Sequence, residues 1–299
     1  NGRTLFHLYI SHLYQKNATV LSFEVFPPKK DSDIESIDGV LKDFADLHPD
    51  FMSVTYGAGG SAQTVSRSKK LADKIENTFH LPALFHLTCI GADKKRLGEL
   101  LLQLRQMKIQ NILALRGDFP GDGSGTGDYT HACDLIRQIK EEGGFCVGAA
   151  CYPEGHIDCE SPELDREYLK RKQEAGADFF ISQLFFENRY FFRFLNDARK
   201  SGITVPISAG IMPILSRNQI ERMIFMCGAS LPGSIVKLLH RYGDNPADLR
   251  KAGIEYALHQ AEDLIANGAD GVHLYTMNHP DIAQSAMWRF RREKTANHE

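Results

Sequence analysis

The sequence predicts an α/β fold of the TIM type, a (β/α)8 barrel with extra helices before the last strand. Short runs of β-branched and aromatic residues recur about every 30 residues and alternate with amphipathic stretches, as in βαβ units with a parallel sheet. Eight such units fit in 299 residues, and one α/β barrel uses about 250. Composition shows no linker-like shift, so we expect one domain over residues 1–299. The alternative is an open doubly wound sheet, which usually has fewer strands.

Each predicted strand is an apolar, β-branched or aromatic run bounded by turn formers. The first run stops at Pro27 and Pro28, which cannot continue a hydrogen-bonded ladder, and the second stops at Gly57. The predicted strands are 20–26, 50–56, 82–89, 111–116, 145–152, 178–184, 205–212 and 271–276.

Each predicted helix has apolar residues at helical spacing. The first carries Ile34, Ile37, Leu41, Phe44 and Leu47 on one stripe. The predicted helical stretches are 33–47, 65–75, 93–107, 132–142, 162–175, 190–200, 216–227, an extra region 232–267, and a last helix from about 281.

Composition and charge narrow the class of protein. Hydrophobic residues make up 42% and charged residues 24%, which is ordinary for a globular chain. Thirty-five Lys and Arg against 38 Asp and Glu give a net charge of −3, so there is no overall electrostatic case for nucleic acid. Apolar runs are too short to span a bilayer, and no signal segment opens the chain. We expect a soluble, cytoplasmic enzyme.

The six cysteines form no C-x-x-C pair, and a chain of this size does not need disulfides, so we expect free thiols. The one cluster that could bind a metal is Cys151, His156 and Cys159, with Asp158 between them. Thiolate and imidazole both suit zinc, but this spacing fits no standard zinc pattern and no fourth ligand is evident. We predict no metal site.

Polar residues fall near the ends of most predicted strands. Chemistry in TIM barrels gathers at the C-terminal ends of the strands, so we expect these residues to share a pocket, although any one alone could be a satisfied core group. They are Glu24, Thr55, Tyr56, His86, Thr88, Arg116, Gly117, Asp118, Tyr152, His156, Gln183, Tyr275 and Asn278.

Glu24 is the sharpest candidate, because it lies inside a strand between Phe23 and Phe26. Burial in such surroundings favours the protonated carboxyl, which is the form that a general acid needs. The alternative is a structural Glu paired with a buried Arg or Lys.

Two further motifs have more than one interpretation when each is considered alone. The segment 57–62 fits the loose G-x-G-x-x-A dinucleotide pattern, but the next strand ends in Thr88-Cys89 without the acidic residue that would hold a ribose, so we reject a Rossmann site. Arg116 could hold a phosphate, or it could pair with Asp118 at the barrel mouth. Arg171 and Lys172 could join it in a pyrophosphate clamp, or they could form a solvated helix face.

Nine segments, in order along the chain, resemble the methylenetetrahydrofolate reductase family. They are LSFEVFPPK (21–29), SVTYGAGGS (53–61), HLTCIG (86–91), ILALRGD (112–118), AACYPEGH (149–156), LKRKQEAGAD (169–178), ISQLFF (181–186), GIMPI (210–214) and HLYTMN (273–278). The resemblance implies a barrel that binds FAD non-covalently. NADH or NADPH reduces the flavin in a ping-pong cycle, and the flavin then passes a hydride to 5,10-methylenetetrahydrofolate, giving the 5-methyl product used in methionine biosynthesis.

The resemblance also implies roles for individual residues. Glu24 matches the acid that opens the folate ring, and Asp118 matches an Asp near flavin and pterin. Gln183, Gln219, Met223 and His279 match folate positions, and Thr55 and Gln183 match donor positions. The matching FAD positions are Tyr56, Ala58, His86, Arg116, Gly117, Asp118, Ala132, Tyr152, His156, Asp165, Arg171 and Lys172.

Three positions depart from the family pattern. Met223 stands in place of a Phe that packs on folate and donor, and Met packs less rigidly. His279 stands in place of an Arg that contacts folate, and Tyr168 in place of an Asn in the flavin site. We expect altered details of substrate and donor binding, with the reaction unchanged.

The resemblance leaves the partners and the donor partly open. We expect a homo-oligomer that binds a folate, with no nucleic acid or membrane partner. We also expect no C-terminal regulatory domain. Electrons could come from NADH, NADPH or a partner subunit. A barrel lyase or aldolase built on Glu24 would need a Schiff-base Lys or a metal at a strand end, and we find neither. A non-catalytic subunit would be expected to lack the acid Glu24, which this chain has.

Overall fold

Eight parallel strands form a closed barrel in a computed structural model of the chain, which describes residues 9–16, 18–28, 34–55, 62–118 and 127–296. Each strand pairs with its sequence neighbours, and β8 pairs with β1. The strands are β1 (Val20–Val25), β2 (Phe51–Val54), β3 (Ala83–Thr88), β4 (Asn111–Leu115), β5 (Cys146–Cys151), β6 (Phe179–Ser182), β7 (Ile207–Ile211) and β8 (Gly271–Leu274). The predicted fold class is confirmed.

Helices surround the barrel. They are α1 (Ile10–Leu13), α2 (Ile34–Asp46), α3 (Ala62–Asp73), α4 (Lys94–Gln106), α5 (Ala132–Glu142), α6 (Pro162–Glu174), α7 (Asn188–Lys200), α8 (Arg217–Cys227), α9 (Gly233–Tyr242), α10 (Pro246–Ala266) and α11 (Pro280–Ala296). Helix α3 continues into a π-helical turn, Lys74–Thr78. Side-chain caps begin several helices, as where Ser161 accepts from Leu164 N–H before Pro162.

Alternation along the strands separates two apolar layers. Phe23, Val25 and Phe85 pack outward against the helices, whereas Val20, Phe51 and Leu84 pack inside the barrel. Side chains two residues apart on a strand share a face, so Ser22 and Glu24 follow Val20 into the interior. The interior of the barrel therefore contains polar side chains as well as the apolar layer.

The opposite end of the barrel is closed by α1, a helix that the sequence pattern did not predict. Ile10 is fully buried, and its N–H donates to Asn111 Oδ1 at 2.8 Å. Tyr14, just after the helix, forms a 2.7 Å hydrogen bond with Ser208 Oγ. Four residues are too few to leave a periodic signal, so this plug had no sequence signature.

The extra helical material before β8 has a different layout from the predicted one. Helix α10 packs on β7 and β8 and so forms the crossover between these two strands. Helix α8 instead runs from the end of β7 toward the loop after β5, where Ser230 N–H donates to Glu154 Oε2 at 3.0 Å. Helices α8 and α9 are thus an insertion beside the mouth.

The six cysteines are free thiols, and four of them are buried. Among the helices of the described ranges, none has the length and apolar character needed to cross a bilayer.

Candidate active site

Two adjoining cavities lie at the C-terminal mouth of the barrel. The inner one, of about 760 Å³, is bordered by Glu24, Thr55, His86, Asp118 and Gln183, among others. The outer one, of about 240 Å³, lies between the ends of β4 and β5 and helices α5 and α6. Both share the lining residues Leu115, Arg116, Ala150, Tyr152 and His156. The structure therefore brings most of the predicted strand-end residues into one continuous space.

Glu24 lies on the interior face of β1 and is only 6% exposed. Its Oε2 is 3.7 Å from His86 Nε2 and 3.9 Å from His273 Nε2. Thr276 fixes the backbone at this point by donating to the Glu24 carbonyl at 2.8 Å. The carboxyl group thus lies among imidazoles, and within the described ranges it has no ion pair with the Arg or Lys of the structural alternative.

His86 is a buried, neutral imidazole. Burial lowers its pKa to about 4, outweighing the opposing attraction of Glu24. Among the described residues, none is within hydrogen-bond distance of its Nε2. An unpartnered buried donor or acceptor is costly, so this nitrogen is available to a ligand in the inner cavity.

Arg116, Gly117 and Asp118 turn the chain away from β4 at the rim. Gly117 has φ +86°, and a Cβ there would lie 2.9 Å from Ile90 Cγ2, so the turn requires glycine. Arg116 donates to Asp158 at 2.7 Å, and this bond lowers the pKa of Asp158. Asp118 is exposed and lines the inner cavity. Arg116 therefore pairs with Asp158 at the rim of the cavities.

Gln183 and Thr55 lie on opposite sides of the inner cavity. Gln183 Oε1 accepts from Leu184 N–H at 2.9 Å, which holds the side chain against its own loop. Thr55 N–H donates to Val25 O, and Thr55 O accepts from Ser68. Asn278 fixes the same region, because its side-chain amide accepts from Phe26 N–H and donates to Phe26 C=O. These two bonds give this polar residue after β8 a structural role.

Lys172 is the cation of the outer cavity. Its Nζ donates to Ala150 O at 2.8 Å and lies 5.4 Å from the centre of the Tyr152 ring. Burial lowers the pKa of Lys172 and raises the pKa of the neighbouring Asp165 carboxyl. Burial also lowers the pKa of His156, whose ring packs edge-on against Tyr152 at 4.5 Å. Ala132 lines the same cavity.

Arg171 has a different environment from Lys172. Its side chain is 48% exposed and pairs with Glu167 on the same helix. Its guanidinium lies 5.3 Å from the Tyr168 ring, which stacks in turn on His131 at 5.0 Å. Tyr168 and His131 line the outer cavity, whereas Arg171 is absent from the described lining residues. Tyr168 thus contributes an aromatic wall where the family pattern has an amide.

The predicted folate residues near α8 and α11 also lie outside the described lining of both cavities. The Gln219 amide caps its own turn, with Oε1 accepting from Leu215 N–H at 2.7 Å. Met223 packs on the apolar cluster of α8–α10, and His279 is exposed before α11. Their roles stay predictions. Tyr56 and Ala58 lie outside the described residues.

Sequence reasoning missed His273, which lies within β8 and is 1% exposed. Its Nδ1 is 2.7 Å from Ser22 Oγ and its Nε2 is 3.2 Å from Ser53 Oγ. His273 lies between Val272 and Leu274 in a predicted strand. A polar residue inside an apolar strand is the signal that identified Glu24, and the same signal could have identified His273.

The donor set of the two cavities suits an elongated ligand with an anionic middle. Arg116 and Lys172 lie where the cavities adjoin, and a guanidinium and an ammonium both bind phosphate oxygens. The inner cavity offers aliphatic walls, the His86 nitrogen and two carboxyl groups. In the described part of the chain, no three His, Cys, Asp or Glu side chains are grouped as metal ligands.

Comparisons with known proteins agree on one family. The family model described as methylenetetrahydrofolate reductase matches residues 9–288. "Methylenetetrahydrofolate reductase (NADH) 1" of Arabidopsis thaliana is 34% identical over 285 residues, covering 90% of this chain and 48% of the relative. The "5,10-methylenetetrahydrofolate reductase" of Pectobacterium carotovorum is 32% identical over 263 residues, covering 88% and 87%. The chain thus spans about half the length of plant and yeast relatives and most of a bacterial one.

A solved structure shares the fold at low identity. It is an uncharacterised Clostridium thermocellum protein that binds two copies of 5-methyl-5,6,7,8-tetrahydrofolic acid, with a TM-score of 0.65. The match covers 94% of this chain and 99% of that one at 13% identity, so it shows the barrel alone.

Proposed function

The chain belongs to the methylenetetrahydrofolate reductase family, and from that premise we propose that it reduces 5,10-methylenetetrahydrofolate to 5-methyltetrahydrofolate, with FAD carrying electrons from NADH or NADPH. The observation that carries the proposal is the buried Glu24 carboxyl at the floor of a cavity that adjoins a cationic one.

The outer cavity supports the FAD part of the proposal. Lys172 and Arg116 would hold the diphosphate, and Asp165 and the Tyr168–His131 wall would border the nucleoside end. His86, with its unpartnered Nε2, would face the flavin in the inner cavity. A bound flavin would accept two electrons from the pyridine nucleotide and deliver them as a hydride to the folate.

Glu24 would supply the proton that the folate reaction needs. Protonating an amine nitrogen of the five-membered folate ring breaks the adjacent C–N bond and leaves an electrophilic iminium carbon for the hydride. A carboxyl that is only 6% exposed would transfer this proton in a space shielded from bulk water. Gln183 and Asp118, at the rim of the same cavity, would orient the pterin.

The donor would bind in the same inner cavity as the folate. Thr55 and Gln183 border this cavity and would contact the nicotinamide. The donor and the folate would then use one space in turn, which would give a ping-pong cycle.

Two half-reactions, followed separately by anaerobic stopped-flow absorbance of FAD-loaded protein, test the proposal. We expect Glu24→Gln to keep flavin reduction by NADH or NADPH within about threefold and to slow reoxidation by methylenetetrahydrofolate at least about 100-fold, the usual contribution of a positioned acid. Glu76→Gln, at the other end of the barrel, is the matched control and should change neither rate. A protein that takes up no FAD, or a Glu24 variant that loses both half-reactions equally, would refute the proposal.

A further inference from the structure

His273 makes polar contacts through both ring nitrogens and packs against two aromatic rings in the barrel interior. Ser22 and Ser53 each contact one ring nitrogen, at 2.7 and 3.2 Å. Phe51 stacks on the ring at 5.9 Å, and Tyr275 packs edge-on at 5.4 Å. With both nitrogens engaged and the ring packed between two aromatic side chains, the imidazole has one orientation.

The two distances to the serines favour one tautomer. A separation of 2.7 Å at Nδ1 suits the Ser22 hydroxyl as the donor. The 3.2 Å separation at Nε2 suits an N–H donor to Ser53 Oγ. The proton of a neutral His273 then lies on Nε2, the nitrogen that is 3.9 Å from Glu24 Oε2.

Within the described ranges, the other polar groups near Glu24 are less suited to this role. His86 faces the same carboxyl from β3 at 3.7 Å, but no described residue bonds its ring nitrogen Nε2. Tyr275, just after β8, donates its hydroxyl to Ser182 O at 2.8 Å and is already committed. Ser22 and Ser53, from β1 and β2, engage the His273 ring itself.

We propose that His273 is a positioning residue for Glu24, whose Nε2–H is shared between Ser53 and the Glu24 carboxylate that remains once the acid has given up its proton. The proposal rests on the acid role of Glu24 in the proposed function. A buried carboxylate without a donor is costly, so this N–H would stabilise the carboxylate left after proton transfer and would hold its Oε2 in place. Such contacts are often long without substrate and shorten in the reacting complex.

Two substitutions separate this role from packing. In His273→Gln the side-chain amide reaches the Nε2 position and can still donate to Glu24, whereas His273→Asn reaches only the Nδ1 position. We expect Asn to slow the folate half-reaction about 10- to 100-fold and Gln less than about fivefold, with flavin reduction unchanged in both. Tyr14→Phe removes the Tyr14–Ser208 bond at the other end of the barrel and controls for general loss of stability.

A measurement without turnover completes the test. Nitrogen-15 NMR of histidine-labelled protein should place the His273 proton on Nε2, and the Nε2 resonance should move in Glu24→Gln. A proton on Nδ1, an unmoved resonance, or equal losses in the Gln and Asn variants would overturn the proposal. Loss of folate reduction in the wild type would refute the proposed function instead, while the NMR result would still decide whether His273 senses Glu24.

Discussion

Lys172 and Arg171 are adjacent cations, and the structure gives them opposite surroundings. Lys172 lines the outer cavity and bonds Ala150 O, whereas Arg171 is half exposed and pairs with Glu167. A one-residue step on a helix turns a side chain by about 100°, which accounts for the different surroundings of the two neighbours. The sequence motif alone did not reveal this difference.

Lys172→Met keeps the apolar stem and removes the charge. We expect FAD to bind at least about tenfold more weakly, since a hydrogen bond to a charged group contributes about 1.5–3 kcal/mol. Arg171→Met is the matched control and should change the dissociation constant less than about twofold, as expected for a surface ion pair. Fluorescence titration with FAD measures both. A larger effect at Arg171 than at Lys172 would contradict the assignment.

His86 should make the stability of the fold depend on pH. Its pKa of about 4 in the folded protein lies below the ordinary value of 6.5, so the unfolded chain binds more protons between these values. The contribution of His86 to the free energy of unfolding should therefore fall as pH is lowered from 6.5 toward 4, by at most about 3 kcal/mol.

Urea unfolding between about pH 4 and 8 measures this contribution. His86→Asn should flatten the profile below pH 6.5, the ordinary histidine value, whereas His279→Asn, at an exposed position, should leave it unchanged. An NMR titration midpoint for His86 near 6.5 would contradict the prediction.

At the scale of elements, the apolar periodicity predicted where helices and strands occur in the sequence better than where they lie in the fold. All eight strands and the principal helices were predicted within a few residues, because each carries its own apolar run. The short helix α1 was missed, since four residues show no period. Helix α8 was predicted as a helix, but its place beside the mouth depends on contacts with Ile157 and Glu154, distant in sequence, that no local pattern encodes.

Glycine at position 253 shows how one element is fitted to another. Gly253 is in the middle of α10, where glycine is a poor helix former, yet a Cβ there would lie 2.0 Å from the Ile214 carbonyl oxygen. A Cβ added at Gly39, in α2, would instead point into open space among the described residues, with no neighbouring atom within 4 Å outside its own helix backbone. The close approach of α10 to the end of β7 therefore requires the first glycine and not the second.

Alanine at these two positions should have opposite effects. We expect Gly253→Ala to lower the free energy of unfolding by about 1–3 kcal/mol through overpacking, and Gly39→Ala to raise it by about 0.5–1 kcal/mol through helix propensity. Denaturant unfolding compares them directly. Stabilisation by Gly253→Ala would show that α10 is not held against the Ile214 carbonyl.

At the scale of the whole molecule, the candidate site exists only because the barrel closes. Glu24 on β1 meets His273 on β8, at the far end of the chain, because these strands pair in register. Reading the strand ends predicted which residues would gather, since parallel strands end at one face. It could not predict that Arg116 pairs with Asp158, or that the Gln219 amide caps its own turn, because those outcomes are set by loop geometry.

Closure also means that a ligand on one side should stabilise the entire barrel, because a closed sheet has no edge at which it can open separately. The only tryptophan, Trp288, lies in α11, which packs on α2 and α10, whereas the outer cavity lies by α5 and α6.

FAD at about 100 times its dissociation constant should add about 2.7 kcal/mol to the free energy of unfolding, and the Trp288 fluorescence transition should shift as far as the circular-dichroism transition. Riboflavin, without the diphosphate that Lys172 and Arg116 would hold, should shift both transitions less at the same concentration. Equal shifts with FAD and riboflavin would place binding outside the cationic cavity, and a Trp288 transition that stays fixed would mean that the barrel unfolds in parts.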